Sequence, residues 1–154
     1  MEIRNRQGDL LFLIPENWDP IFADTDLLAG ADLRGSRLIG KELGNADLTG
    51  TRLAGADLYW AFPSATVLVR ADLSGACLRG ADMEDADLSY ADLSNADLSR
   101  CNLDRSTRMG GVILKGTNLT GADFTGALYD KTTVFPEDFN PAERGMIEDL
   151  REKA

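Results

Sequence analysis

The chain has no histidine and only two cysteines among its 154 residues. Without histidine there is no imidazole to act as a general base near neutral pH or to ligate a transition metal. Two thiols cannot make a disulfide framework. Cytosolic redox conditions would keep both reduced. Aromatic residues make up 7% of the chain, so the core must be mainly aliphatic. No apolar run approaches the ~18–20 residues of a membrane-spanning helix. The longest near the start, Leu10–Ile14, stops at Pro15 and is too short for a signal-peptide core. These features predict a cytoplasmic protein with no membrane contact. Positive charge is also scarce, with 16 Lys and Arg against 26 Asp and Glu, a net charge of -10 and a pI near 4.4. That balance argues against direct binding to nucleic acid, whose phosphates want a basic face. It permits the opposite role, an acidic surface competing for a basic cleft.

What the chain has is a repeat. From Ala31 to Arg105 it reads as fifteen consecutive five-residue units, clearest at Ala86-Asp87-Leu88-Ser89-Tyr90 and the two units after it. The central residue is Leu or Met in fourteen of the fifteen, with Pro63 the exception. Two residues earlier stands Ala, Ser, Thr or Cys in fourteen, with Lys41 the exception. A period of five fits neither common element. A helix would carry such a column steadily around its axis. A flat strand would flip every second centre to the other face. The pattern needs a path that turns equally at each unit and points each centre inward, which is a solenoid of stacked coils. The small residue also fits inward. The residue just before the centre, usually Asp, Glu or Asn, is expected to face water.

These residues resemble the pentapeptide-repeat family, whose pattern is A(D/N)LXX, and in particular its short cyanobacterial-type members. The resemblance implies an all-β solenoid, a right-handed quadrilateral β-helix with one unit per side. At four units per coil it predicts about five coils. The domain plan is an N-terminal cap over 1–25, the β-helix over 26–137 and a short C-terminal capping helix over 138–154. In the cap, Leu10–Ile14, Pro15, Trp18 and Phe22 are expected to cover the open end of the first coil, since an uncovered coil exposes apolar centres and unpaired backbone.

Two parts of the repeat carry candidate binding residues. Around Pro63, aromatic and β-branched residues occupy positions that are polar elsewhere. Tyr59, Trp60 and Phe62 form a candidate partner-binding patch. Stacking coils at twenty-residue steps puts Trp60 between Gly40 and Gly80, with room for the indole to lie flat. The same stacking puts Tyr59 beside Arg79, whose guanidinium could pack on the ring. The patch is either an exposed contact site or an apolar area covered by neighbouring side chains or by the N-terminal segment. The second candidate is an acidic face made of Asp82, Glu84, Asp85, Asp87, Asp92 and Asp97, which would imitate DNA phosphates. Elsewhere, arginine or neutral residues often separate stacked acids, as in the column Asp32, Arg52, Asp72, Asp92.

Past Arg105 the register slips. Leu103 and Met109 are six residues apart, and the same chemistry recurs from Tyr129 to Phe135. Each slip predicts a one-residue bulge in which Asp and Thr bond freed backbone groups. At the end, Asn140-Pro141-Ala142-Glu143 offers helix-capping chemistry, and Ala142, Met146, Ile147 and Leu150 fall on one helical face. Gly145 weakens that helix.

No nucleophile motif, metal-spaced cluster or phosphate-cradling glycine loop is present. The expectation is no enzymatic activity, no cofactor and no metal. A non-catalytic protein–protein interaction or scaffold module presenting flat acidic walls and an aromatic patch fits best, with a protein as its partner. The alternative, suggested by relatives that target DNA gyrase, is a DNA-mimicking protein that binds a topoisomerase. A monomer is favoured, with a dimer through the C-terminal helix as the other arrangement.

Overall fold

The computed structural model describes residues 2–4, 10–13, 28–103 and 105–151. The local unit explains the repeat. At nearly every unit the carbonyl of the central residue accepts the N–H three residues on, as from Ala76 to Leu73 at 3.0 Å. The residue before that donor has positive φ, for example Gly75 at 62°. This is the signature of a type II turn, and it bends the chain once per unit. The preceding acid serves the same turn. Asp72 accepts the N–H of Ser74 at 3.0 Å, Asp92 that of Ser94 at 2.8 Å and Asp123 that of Thr125 at 2.9 Å. An Asx bond of this kind needs a short side chain with an acceptor oxygen, which is why Asp and Asn dominate the position. It also sets a pKa direction. The Asp92 and Asp123 carboxyls are held below the usual range, mainly by their bonds to Ser94 and Thr125.

Four turns bring the chain back over itself. Asp32 bridges Arg52, Arg52 bridges Asp72 and Asp72 bridges Asp92, all parallel and twenty residues apart. This column defines a first wall. The second runs Arg37, Asp57, Cys77, Asp97, Asp123. The third includes Glu42, Phe62, Asp82, Arg108 and Leu128, and the fourth runs through Asp47, Val67, Asp87, Ile113 and Val134. The contacts are mostly isolated bridges rather than strands, because a turn interrupts each wall after every short straight piece. Central leucines point inward and are all but inaccessible, as are the alanines two residues before them. Where threonine replaces alanine, its buried hydroxyl bonds the coil above. Thr66 donates to Leu43 O at 2.7 Å and Thr117 to Leu88 O at 2.8 Å.

The first slip is larger than its spacing predicts. Cys77 bridges Asp97 twenty residues on, but Asp82 bridges Arg108, twenty-six residues on. The step is thus six residues longer, and Cys101, Asn102, Leu103, Arg105 and Ser106 pair with no wall. Thr107 takes the small inward place instead. It accepts from Gly80 N–H at 2.9 Å and donates to Leu78 O at 3.1 Å, two bonds that cysteine makes poorly. Met109 enters the core, while Leu103, expected as a centre, is 66% exposed. The second slip is a single-residue insertion, with Ile113 bridging Val134. There Asp130 accepts from Thr132 N at 2.8 Å and Gly111 N at 3.1 Å, and Thr133 donates to Met109 O at 3.0 Å.

No helix forms over the described part of 138–154, which corrects that expectation. Asn140 does accept the Ala142 N–H at 3.1 Å, and one turn follows. Gly145 then takes φ +71°, which ends the turn before a second can form. The chain continues as strand β4 (Ile147–Glu148), parallel to β3 (Leu128–Tyr129). Of the four residues of the expected apolar face, Met146 alone is buried; Ile147 is 52% and Leu150 82% exposed. The dimer through a C-terminal helix therefore has no helix to use. The last coil packs on aromatics instead: Phe139 meets Phe124 edge-on at 5.4 Å and stacks on Phe135 at 5.0 Å. Near the N-terminus β1 (Glu2–Arg4) and β2 (Leu10–Leu13) pair antiparallel. Pro15, Trp18 and Phe22 of the expected cap lie outside the described residues.

Candidate functional site

The six-residue excursion leaves at the corner between the second and third walls, where Tyr59 and Trp60 also stand. Trp60 occupies the positive-φ place of its turn, at 57°. A side chain there lies along the solenoid axis, toward the next coil. Gly80 is what it meets, and a Cβ at Gly80 would come within 2.7 Å of the indole. The expectation of a flat indole over a glycine matches this geometry. Tyr59 lies parallel to Trp60 with centroids 5.7 Å apart.

Beyond Gly80 the indole reaches the excursion. Trp60 Nε1 donates to Cys101 Sγ at 3.2 Å. Leu103, Arg105 and Tyr59 also favour the thiolate form of the same sulfur. The Arg105 carbonyl accepts from Cys101 N at 3.0 Å, closing the loop on itself. Burial by itself pushes the Cys101 thiol up, but these donors outweigh it and bring its pKa down to about 7. Cys77, on the second wall, shows the opposite shift, because burial pushes its thiol up. Both cysteines are free. The Arg105 guanidinium lies over Phe62 at 4.9 Å and over Trp60 at 5.4 Å.

Tyr59, Trp60 and Phe62 thus share one corner and are half-buried. What covers them is the excursion, which spacing concealed. The cation over the rings is Arg105 rather than Arg79. Arg79 lies alongside through its backbone, accepting from Trp60 N at 3.1 Å, and its guanidinium faces Asp97 at 3.8 Å.

The six acids of the candidate mimic face do not share a face. Asp82 lies on the third wall, Asp87 on the fourth, Asp92 on the first and Asp97 on the second. A five-residue period on a four-sided coil puts consecutive acids on consecutive sides, so the sequence cluster becomes a belt. Glu84 and Asp85 fall at the turn between Asp82 and Asp87. Asp82 and Glu84 are both paired to Arg108, at 2.8 and 2.5 Å, and Asp92 accepts from Asn118 at 3.0 Å. Among the described residues no three acids or cysteines are placed to hold a metal ion. A cleft of about 260 Å³ opens beside β3, edged by Arg108, Tyr129, Asp130 and Arg151. No motif in the sequence marks it.

A profile described as pentapeptide repeats matches residues 27–62, 66–105 and 105–127 in eight copies, more than half of the chain. The chain belongs to the pentapeptide-repeat family. Proteins of this family form right-handed quadrilateral β-helices. A pentapeptide repeat protein from Nostoc is 36% identical over 77% of this chain and 84% of its own length, with a TM-score of 0.47. HetL, a pentapeptide repeat protein from Nostoc involved in heterocyst differentiation regulation, is 29% identical over 68% of this chain, with a TM-score of 0.36. The match spans just over half, 56%, of HetL. A pentapeptide repeat protein of the Arabidopsis thaliana thylakoid lumen is 30% identical over 72% of this chain and 68% of its own, with a TM-score of 0.35. No curated protein sequence matches. Members of the family are in general structural or interaction modules rather than enzymes.

Proposed function

We propose that this pentapeptide-repeat protein is a non-catalytic interaction module whose docking surface is the corner of Tyr59, Trp60, Phe62 and the 101–106 excursion. One observation carries the reading. The larger of the chain's two departures from the twenty-residue step is at this corner, and there it presents Leu103 66% exposed above a braced aromatic base. A solenoid needs no such excursion to close its core. An exposed apolar side chain on a supported loop beside aromatic residues is the composition of an interface centre. The same reading takes the repeat as about five coils, closed at the C-terminal end by residues 135–151 and at the other by the N-terminal segment. It places the protein in the cytoplasm, where both thiols stay reduced, and makes it a monomer. The topoisomerase-mimic alternative is less favoured, because its six acids lie around four walls and two of them share the Arg108 guanidinium.

The test is a pull-down with the full chain from lysate of the source organism, at low and high salt. Wild type is compared with a Leu103→Ser variant and with a Tyr59/Trp60/Phe62→Ser variant. A partner that survives high salt and is lost with either variant supports the corner. A topoisomerase lost at high salt but kept by both variants overturns it in favour of mimicry, since charge-driven contacts between exposed groups are screened.

A further inference from the structure

Several arginines sit in close ion pairs. Arg52 meets Asp32 at 2.6 Å, Arg108 meets Asp82 at 2.8 Å and Arg151 meets Asp149 at 2.6 Å. Arg79 is different. Its side chain is about one-third exposed, its Nε is buried with no hydrogen-bond partner, and Asp97 stands 3.8 Å away, outside hydrogen-bond range. Its Nη2 reaches only the Arg100 carbonyl, at 3.4 Å. A guanidinium has five donors in a planar fork suited to a carboxylate. Arg79 is held only by long contacts while already largely desolvated. Arg105, the second cation of the corner, is spread over the faces of Trp60 and Phe62. Both flank the aromatic base, and Leu103 stands two residues along from Cys101, whose sulfur accepts from the Trp60 indole. The corner thus sets an exposed apolar side chain beside two guanidinium groups, of which Arg79 is only loosely held by Asp97, on a body whose net charge is -10.

Resting on the docking site proposed above, we infer that this corner takes an acidic segment of a partner protein, one that presents a carboxylate close to an apolar or aromatic anchor. The anchor packs on Leu103 and the exposed edges of Tyr59 and Trp60. The carboxylate takes the outer Nη edge of the Arg79 guanidinium, which Asp97 and the Arg100 carbonyl hold only at 3.8 and 3.4 Å. The net negative charge of the rest of the body disfavours an acidic chain over most of the surface and so favours this corner. A basic or nucleic-acid partner would find no such match. Basic segments would settle on the walls, and phosphates would be repelled by them.

The probe is a short capped peptide with a phenylalanine between two aspartates, set against the same peptide with lysines for the aspartates. Binding is followed by NMR on the isotope-labelled full chain. The acidic peptide is expected to shift the Trp60 indole N–H and the Arg79 side-chain N–H. Its affinity should exceed that of the lysine peptide at least tenfold. Arg79→Gln should remove most of that preference and leave the rest of the spectrum in place, which shows that the variant is folded. Equal binding of the two peptides, no response at Trp60 and Arg79, or the same shifts appearing on raising protein concentration alone would each overturn the inference. The last would name a second copy of this chain as the occupant. If the peptides fail while a captured partner still depends on Leu103, the docking site stands and only the chemistry of its occupant is wrong.

Discussion

Two corners of the solenoid carry an aromatic residue at the positive-φ place of the turn. At one, Trp60 lies on Gly80. At the other, between the fourth and first walls, Tyr90 lies on Gly116, where a Cβ would come within 2.6 Å of the ring. The local device is the same, an L-residue forced into left-handed backbone with its ring laid on a glycine of the next coil. The outcomes differ. Tyr90 is left 54% exposed beside an uninterrupted wall. Trp60 is bridged by the excursion, bonded by Cys101 and overlaid by Arg105. Laying a ring on a glycine is therefore part of the scaffold, and the added loop is what turns one corner into a candidate site.

The core beneath the two corners is equivalent, and this sets the largest expected effect. Leu58 and Leu88 are both buried to within 2%. Leu58→Ala and Leu88→Ala should each cost about 2–5 kcal/mol in chemical denaturation. A difference between them larger than that range would mean that the loop reaches into the core. Next come the glycines. Gly80→Ala and Gly116→Ala both place a Cβ against a ring and both pay for positive φ (+66° and +65°). Tyr90 can swing into solvent, so Gly116→Ala should cost about 1 kcal/mol. Trp60 is pinned, so Gly80→Ala should add overpacking of about 1–3 kcal/mol. Equal losses would show that Trp60 is not braced.

The third effect is a titration. Cys101 should ionise with a midpoint of about 7, followed by thiolate absorbance, and Trp60→Phe should raise it by removing one donor. Tyr90→Phe should leave it unchanged. The sign for stability follows from the lowered value. The thiolate contribution is complete above the pKa of the unfolded thiol and is lost as pH falls through about 7. Wild type should therefore lose stability relative to Cys101→Ser on going from pH 9 to pH 6, and a flat difference would place the sulfur outside the donor cluster. The smallest effect is on Leu103. Leu103→Ser should change stability by less than about 0.5 kcal/mol, yet abolish partner capture.

Much of this was legible in the sequence, and the failures have physical causes. Period five and the small–Asp–Leu order gave the inward leucines, and the twenty-residue step predicted that Trp60 would meet Gly80. The excursion stayed hidden because Cys101-Asn102-Leu103 imitates a unit, and a gap of six before Met109 reads equally as one extra residue or as a whole unit displaced. Only the bridge from Asp82 to Arg108 separates the two. The acidic face failed because neighbours in sequence are placed on different walls. The C-terminal helix failed at Gly145, whose left-handed φ overrides good caps at Asn140 and Pro141. The role of the acids was also missed, since a residue assigned to solvent turned out to bond its own turn.

The six-residue detour leaves the ladder intact on both sides of it. Asp97 still bridges Cys77, and Arg108 still bridges Asp82. A corner can thus be lengthened without re-registering the walls, because coil stacking is restored by the next threonine and methionine. Each corner of such a protein is then a tolerated insertion point. New recognition loops can be acquired, exchanged or grafted there while the scaffold is inherited unchanged.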